Sequence, residues 1–326
     1  MMSRSAVKGL LKAMPAWLQA VTRMLLLRPA RAYIRFAPWT WGKSWLFDSV
    51  AEHLWWLETR VDAPTLTGDV IRVDASDIVG KHLYYFGVWE PNLTRWISRR
   101  LGAGQVFIDV GANVGYYSLL ASRLVGPSGR VIAIEALPQT YEALLGNLRR
   151  NAAANVRVVN AAAWDKREKL EIFVRQEGPT GATTLMSAWA DQWHLRRRVE
   201  IEADRLASLL SAAEIEQARI IKIDVEGAEW HVISEMTEWL SRTAADLEIA
   251  IELSRSMMSS QGKSLQDILA TFAAFGFRAY RIENDYLASS CIDRTARPVA
   301  RRITEWPGEA VDQIDVIFSR IDAASI

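Results

Sequence analysis

Three carboxylates stand where the chain's most regular apolar runs stop: Asp109 in "VFIDVGANVGYYS", Glu135 after "RVIAI", and Asp224 after "RIIKI". An acid inside an apolar run needs partners, because an unpaired charge is expensive to bury. Gly111 and Gly115 follow the first run directly, and missing side chains there let a ligand reach the backbone and the N–H groups of a following helix. A nucleotide-like ligand is implied. The dinucleotide fingerprint fits poorly, since the second glycine position counted from Gly111 is Asn113 and the third is Tyr116. A nucleoside without a pyrophosphate is therefore favoured, and an NAD-type oxidoreductase or a non-catalytic cofactor-binding or membrane-attached scaffold is the weaker alternative. Glu135 lies 24 residues after Gly111, at the end of the next apolar run, where a carboxylate can accept both hydroxyls of a ribose.

Further titratable groups gather in "KIDVEGAEWH", which offers Asp224, Glu226, Glu229 and His231. With a helix starting near Gly227, Glu226 falls in its N-terminal turn, where N–H groups favour the ionised form and make a poor base. Asp224, at a strand end, is expected to face the cleft for acceptor contact or proton removal, with capping of the following helix as its other reading. His231 reads as a packed histidine with one satisfied nitrogen. Glu252 ends the run "EIAIE" and could share a divalent cation with Asp224, but strand-end carboxylates more often bond backbone and solvent, so no metal is expected.

These residues need a scaffold. From about residue 105 apolar strands alternate with helical segments, "QVFIDV" with "GYYSLLASRLV" and "RVIAIEA" with "PQTYEALLGNLRRNAA", and the same order returns from "RIIKIDV" to the last strand "VDQIDVIFSR". Strands apolar on both faces suit a parallel sheet covered by helices, and sites in such sheets lie where strand carboxyl ends meet helix N-termini. "TGDVIRVDASDIVG" and "KHLYYFGVW" read as a β lead-in, and "KLEIFV" with "RRVEIEA" as a hairpin insertion. The domain organisation expected is a helical extension over 1–64 and an α/β domain over 65–326, with the lead-in at 65–104 and the insertion at about 169–203.

At 326 residues, 50% hydrophobic and 24% charged, the chain is globular in composition. Its lone Cys291 excludes a disulfide framework and favours a reducing, cytoplasmic setting, and no apolar run is long enough to span a membrane. Charge is uneven: residues 1–47 hold eight basic and no acidic residues, and the remainder is net acidic. That acidity argues against nucleic-acid binding. Residues 7–25 repeat apolar side chains at helical spacing with a break at Pro15, and six of the 14 tryptophans precede residue 57. Such a segment either caps the domain or lies on a membrane surface or an acidic partner.

The blocks "FIDVGANVGYYS", "VIAIEALPQTYEALLGNLRRN", "VRVVNAAAWD" and "IIKIDVEGAEWHVI", with "FGVWEPNL" upstream, resemble those of FkbM-type S-adenosylmethionine-dependent methyltransferases. The resemblance runs from about residue 84 to 319. It implies a Rossmann-like class I methyltransferase fold, a seven-stranded, mostly parallel sheet with helices on both faces, and methyl transfer, usually to oxygen. Asp109, Gly111, Asn113 and Gly115 would then hold the methionine part of the donor, Glu135 the ribose, and Asn160, Ala161 and Ala162 would lie along the adenine. Glu90 would sit near the amino-acid end of the donor or near the acceptor. By their own positions Asp224, Glu252 and His231 are the candidates for catalysis, and Asp224 is a candidate donor contact as well. The family often has Glu-x-His after the fifth strand, and here Ser254 replaces that histidine. The loop of about 176–198, with Trp189, Trp193, His194 and the basic run Arg196 to Arg198, is the expected acceptor loop for a glycan, glycolipid or hydroxylated metabolite. Its arginines could meet an anion or start an exposed strand.

Overall fold

β3 (Val106–Val110) is buried at every residue, and it lies at the centre of the sheet that organises the chain. The computed structural model describes residues 15–51, 60–175, 183–184, 190–191, 195–293, 295 and 297–326. The chain forms two compact units, Met1–Pro91 with Asp285–Ala296, and Asn92–Asn284 with Arg297–Ile326.

In the first unit, α1 (Ala16–Thr22) begins directly after Pro15, which can start a helix but not continue one. A π-helical turn leads to α2 (Arg28–Phe36), and α3 (Lys43–Leu46) follows Gly42. Leu27, Ala30, Ile34 and Phe47 are buried, and the Phe47 ring meets His82, Tyr85 and Phe86. β1 (Val61–Pro64) and β2 (Val70–Val73) form the expected antiparallel pair. The run "KHLYYF", expected as strand, is instead part of helix α4 (Ile78–Phe86). Asp77 caps it by accepting the Gly80 N–H, and Gly87, in the left-handed region, ends it. Four successive buried residues, Leu83 to Phe86, cover its sides, so the run carries no amphipathic period to betray a helix. The tryptophans Trp55 and Trp56 and residues 1–14 of the amphipathic segment lie outside the described residues.

In the second unit, α5 (Pro91–Arg100, from Asn92 on) precedes β3. α6 (Tyr116–Val125), β4 (Arg130–Ile134), α7 (Pro138–Arg150) and β5 (Val156–Val159) complete one half of the sheet. β10 (Ala218–Ile223), α8 (Glu229–Met236), β11 (Glu248–Ser254), α9 (Leu265–Ala273), β12 (Arg278–Ile282), a two-residue β13 (Arg301–Arg302) and β14 (Gln313–Ser319) complete the other. The strand order is β13-β12-β14-β11-β10-β3-β4-β5. β5, β4, β3, β10 and β11 are parallel, and β14 runs antiparallel between β11 and β12. Seven strands form the sheet as expected, and β13 adds a short antiparallel edge to β12. The order reverses between β3 and β10, which marks the switch point where ligands bind in open α/β sheets.

A second sheet holds β6 (Ala162–Trp164), β7 (Glu168–Val174), β8 (Thr183–Thr184) and β9 (Arg197–Arg205). β7 and β9 pair antiparallel, as the hairpin reading expects. Arg198 pairs with Glu171 at 3.1 Å and Arg196 with Asp191 at 2.6 Å, which supports the exposed-strand reading of the basic run. Most of the expected acceptor loop, including Trp189, Trp193 and His194, lies outside the described residues.

Candidate active site

Parallel pairing sets Lys222 of β10 beside Asp109 of β3, and Ile223 beside Val110. Both Lys222 and Asp109 are buried, so two opposite charges sit in the middle of the sheet just before the switch point. Asp109 Oδ2 accepts a 2.6 Å hydrogen bond from Ser118 Oγ on α6. Its Oδ1 is buried and, among the described residues, has no hydrogen-bond partner. Burial pushes the Asp109 carboxyl up, against the Lys222 charge and the Ser118 hydroxyl. An orphaned carboxylate oxygen at such depth points to a missing donor or cation.

The turn after β3 explains its glycines. Gly111 adopts φ +84°, and a Cβ there would stand 1.8 Å from the Asp224 carbonyl oxygen, so only glycine lets the ends of β3 and β10 cross this closely. Gly111 and Ala112 both donate their N–H to Ile134 O at 2.9 Å, which ties the turn to the end of β4. Asn113, at φ +50°, aims its N–H at Glu135 Oε2 over 2.9 Å, and Leu137 N–H reaches Oε1 at the same distance. Each carboxylate oxygen keeps a second lone pair, which suits it to a diol. Burial pushes the Glu135 carboxyl up to about 7 even though both N–H groups pull the other way. Asn160 Nδ2 donates to the carbonyl oxygens of Glu135 and Ala136 at 2.8 and 3.1 Å, so its role here is to hold the end of β4. Ala161 and Ala162 are buried beside it, and Ala162 starts β6.

After β10 the chain turns through two left-handed residues, Glu226 at φ +54° and Gly227 at φ +99°. α8 begins only at Glu229, two residues later than expected, which takes Glu226 off the helix. The expectation that Glu226 is held ionised is therefore reversed: burial first, then the charges of Asp224 and Glu229, push it up to about 8. Part of the residue still reaches the surface. Glu229 Oε1 accepts the Gly227 N–H at 3.0 Å, and burial pushes this carboxyl to about 7. Asp224 acts electrostatically on Asp109, Glu135, Glu226 and Glu229 alike, and so lies at the middle of the cluster. Its Oδ2 is bound to Lys222 Nζ at 2.8 Å, and that ammonium also lies 5.0 Å from the centre of the Tyr117 ring.

His231, in the first turn of α8, makes a 2.7 Å hydrogen bond from Nδ1 to Asp165 Oδ2 and stacks on Trp164 with centroids 3.6 Å apart. About a third of each side chain in the pair is exposed. A bond at Nδ1 orients the ring and leaves Nε2 as the nitrogen able to take a proton. Glu252, half-buried in β11, stands opposite Asp315 of β14. Glu90 belongs to the first unit, at φ +40°, and accepts from Tyr286 Oη at 3.3 Å.

The expected residues Asp109, Gly111, Asn113, Glu135 and Asp224 thus meet at the carboxyl ends of the central strands β3, β4 and β10, with Gly115 capping α6 at φ +94°. Sequence reasoning passed over Lys222, whose signal was a lysine two positions before Asp224 in an otherwise apolar strand. It also passed over Asp165, which leaves no local trace. A cavity of about 310 Å³ lined by Arg219, Glu248 and Arg320 opens elsewhere, where β10 and β11 begin.

A family model described as "Methyltransferase FkbM domain" matches residues 109–279, just over half of the chain. Methyltransferase sdnD of Sordaria araneosa is 26% identical over 164 residues, covering 42% of this chain and 62% of that protein. A protein-L-isoaspartate O-methyltransferase of Methanothrix thermoacetophila is 36% identical over 59 residues, 18% of this chain and 28% of that one. The chain thus spans less than two thirds of the length of either relative. The crystal structure of methyltransferase FkbM from Methylobacillus flagellatus aligns at 15% identity with a TM-score of 0.37, over 74% of this chain and 55% of that one.

Proposed function

The chain belongs to the FkbM methyltransferase family, whose methyl donor is S-adenosylmethionine, and on that premise we propose that it methylates a hydroxyl oxygen of a glycan, a glycolipid or a small hydroxylated metabolite. The observation that carries the reading is the buried acid cluster around Gly111, with Asp109 Oδ1 left without a hydrogen-bond partner among the described residues. A ligand bearing a sulfonium and an ammonium supplies the positive charge those acids lack, and its ribose matches the two-oxygen face of Glu135. The residues present therefore fit the donor.

When bound, S-adenosylmethionine supplies a methyl group on a sulfonium, an electrophile that needs no further activation. The chain's part is placement and proton removal. Gly111 lets the ends of β3 and β10 close up and so shapes the turn that faces the donor, and Glu135 orients its sugar. Asp109 and Asp224 place negative charge near its cationic end, and Lys222 stops the two acids from repelling each other. A hydroxyl acceptor held about 3 to 3.5 Å from the methyl carbon, in line with the sulfur, has most of the geometry it needs. It must still lose a proton. His231, fixed by Asp165 and by Trp164, is the side chain we assign to that step, ahead of Asp224, one of whose oxygens is committed to Lys222. Glu252 is assigned to acceptor contact.

The test is turnover with S-adenosylmethionine across sugars, glycolipids and hydroxylated metabolites, reading S-adenosylhomocysteine and locating the new methyl by NMR. Methylation on oxygen is expected, with H231Q lowering kcat by about 10²- to 10⁴-fold while donor affinity stays the same. Methylation on nitrogen or carbon would remove the hydroxyl assignment, and full activity in H231Q would remove the base.

A further inference from the structure

The stretch from α1 to α3 holds a buried apolar set and an exposed one, and a segment that only caps a domain needs the first alone. The buried set is Leu27, Ala30, Ile34 and Phe47. Across the same stretch, including the π-helical turn and the loop before α3, Trp17, Met24, Leu25, Leu26, Phe36, Trp39, Trp41 and Trp45 are more than half exposed. Single exposed apolar residues are ordinary, but eight large ones within 29 residues of sequence are a surface that water disfavours.

The exposed rings are also held in place. Trp39 Nε1 donates to Tyr33 Oη at 2.9 Å, and Tyr33 Oη donates to Trp41 O at 2.6 Å. Trp39 Nε1, Tyr33 Oη and the Trp41 carbonyl oxygen are thereby satisfied within the chain, so the Trp39 ring can leave water at little further entropic cost. Arg31 Nε is spent on Tyr84 O at 2.9 Å, and Lys43 Nζ on Ala37 O at 2.8 Å, which holds those cations within the chain. Arg28 remains exposed.

From these observations we propose that α1 to α3 form an interfacial membrane anchor, with Trp17, Trp39, Trp41 and Trp45 and the apolar run Met24 to Leu26 entering the headgroup region of a bilayer rich in anionic lipid. The choice of a lipid surface over a protein groove rests on composition and charge. Tryptophan and leucine with arginine is the mixture that suits a boundary between headgroups and acyl chains. Arg31 and Lys43 aside, residues 1–47 carry six basic residues and no acid, which complements a negative surface. No helix among the described residues is long and apolar enough to cross a membrane, so the contact is one of lying in the interface. The proposal concerns a different surface from the transferase reading and does not depend on it.

The test is cosedimentation of the full chain with vesicles of phosphatidylcholine alone and of phosphatidylcholine with about one third phosphatidylglycerol, followed by tryptophan fluorescence. The wild type is expected to bind the anionic vesicles more tightly, with a blue shift of its emission. The triple variant W39A/W41A/W45A should bind them about tenfold or more weakly, with an unchanged melting temperature and unchanged affinity for S-adenosylmethionine. Light scattering on the free protein covers the other occupants. A wild type that ignores both vesicle types overturns the proposal, whether it is monomeric or a dimer that the triple variant splits. Equal vesicle binding by wild type and triple variant overturns it as well.

Discussion

The two units of this protein invert each other's chemistry. The second buries charge: Asp109, Glu135, Lys222 and Glu229 are all nearly inaccessible at the end of an apolar sheet. The first exposes apolar surface, with Trp41 and Phe36 the most accessible of its large apolar residues among those described. Both arrangements cost stability in an isolated chain, because charges lose hydration in the one and rings order water in the other. Each cost falls when a complementary ligand arrives, a cationic nucleoside for the acids and, on our proposal, an anionic bilayer for the rings. The comparison shows that an unfavourable local arrangement is informative when its residues agree on what would relieve it.

The hardest blow to one side of this contrast is G111A. A Cβ at this φ, set against the Asp224 carbonyl, should cost about 3 kcal/mol or more and abolish donor binding, as read by urea denaturation and calorimetry. A folded variant that binds S-adenosylmethionine normally would mean that the turn is not the cradle. E135A should next weaken S-adenosylmethionine by about 100-fold, the worth of two hydrogen bonds to a charged group, and leave vesicle binding untouched. Loss of both together would show that the two units do not act separately.

The buried acids also set a pH dependence. The carboxyls of Glu135, Glu226 and Glu229 stand at about 7, 8 and 7 in the folded chain, above their ordinary values. Between about pH 4.5 and 8 the folded state then holds more protons than the unfolded state, so stability falls as pH rises through that window. The melting temperature of the ligand-free protein should drop from pH 5.5 to 8, and E226Q should flatten the drop. Affinity for S-adenosylmethionine, compared with that for uncharged adenosine, should rise over the same range as the acids ionise. A flat melting profile would mean that the three carboxyls are not held above their ordinary values in the ligand-free fold. The smallest effect belongs to the other unit: W41A should change stability by no more than about 0.5 kcal/mol, as exposed side chains do.

Strand and glycine patterns made the Rossmann-like sheet and the turn at Gly111 legible, because both are local: a strand apolar on both faces and a left-handed turn are written in adjacent residues. The helix α4 was not legible, since a segment buried on most sides has neither a helical nor a strand period. Glu226 was misjudged for a related reason. Two left-handed residues delay α8 until Glu229, and a shift of that size moves a side chain from a helix terminus into a buried acid cluster.

Taken alone, the order of residues determined the seven main strands of the central sheet, where their carboxyl ends lie, and that a nucleoside without a pyrophosphate suits the turn after β3. Tertiary structure alone decided that Lys222 stands beside Asp109 and that His231 is held by Asp165. The physical reason is register: the partners on β3 and β10 are separated by more than 100 residues of chain, and only the pairing of whole strands through their backbones determines which side chains meet.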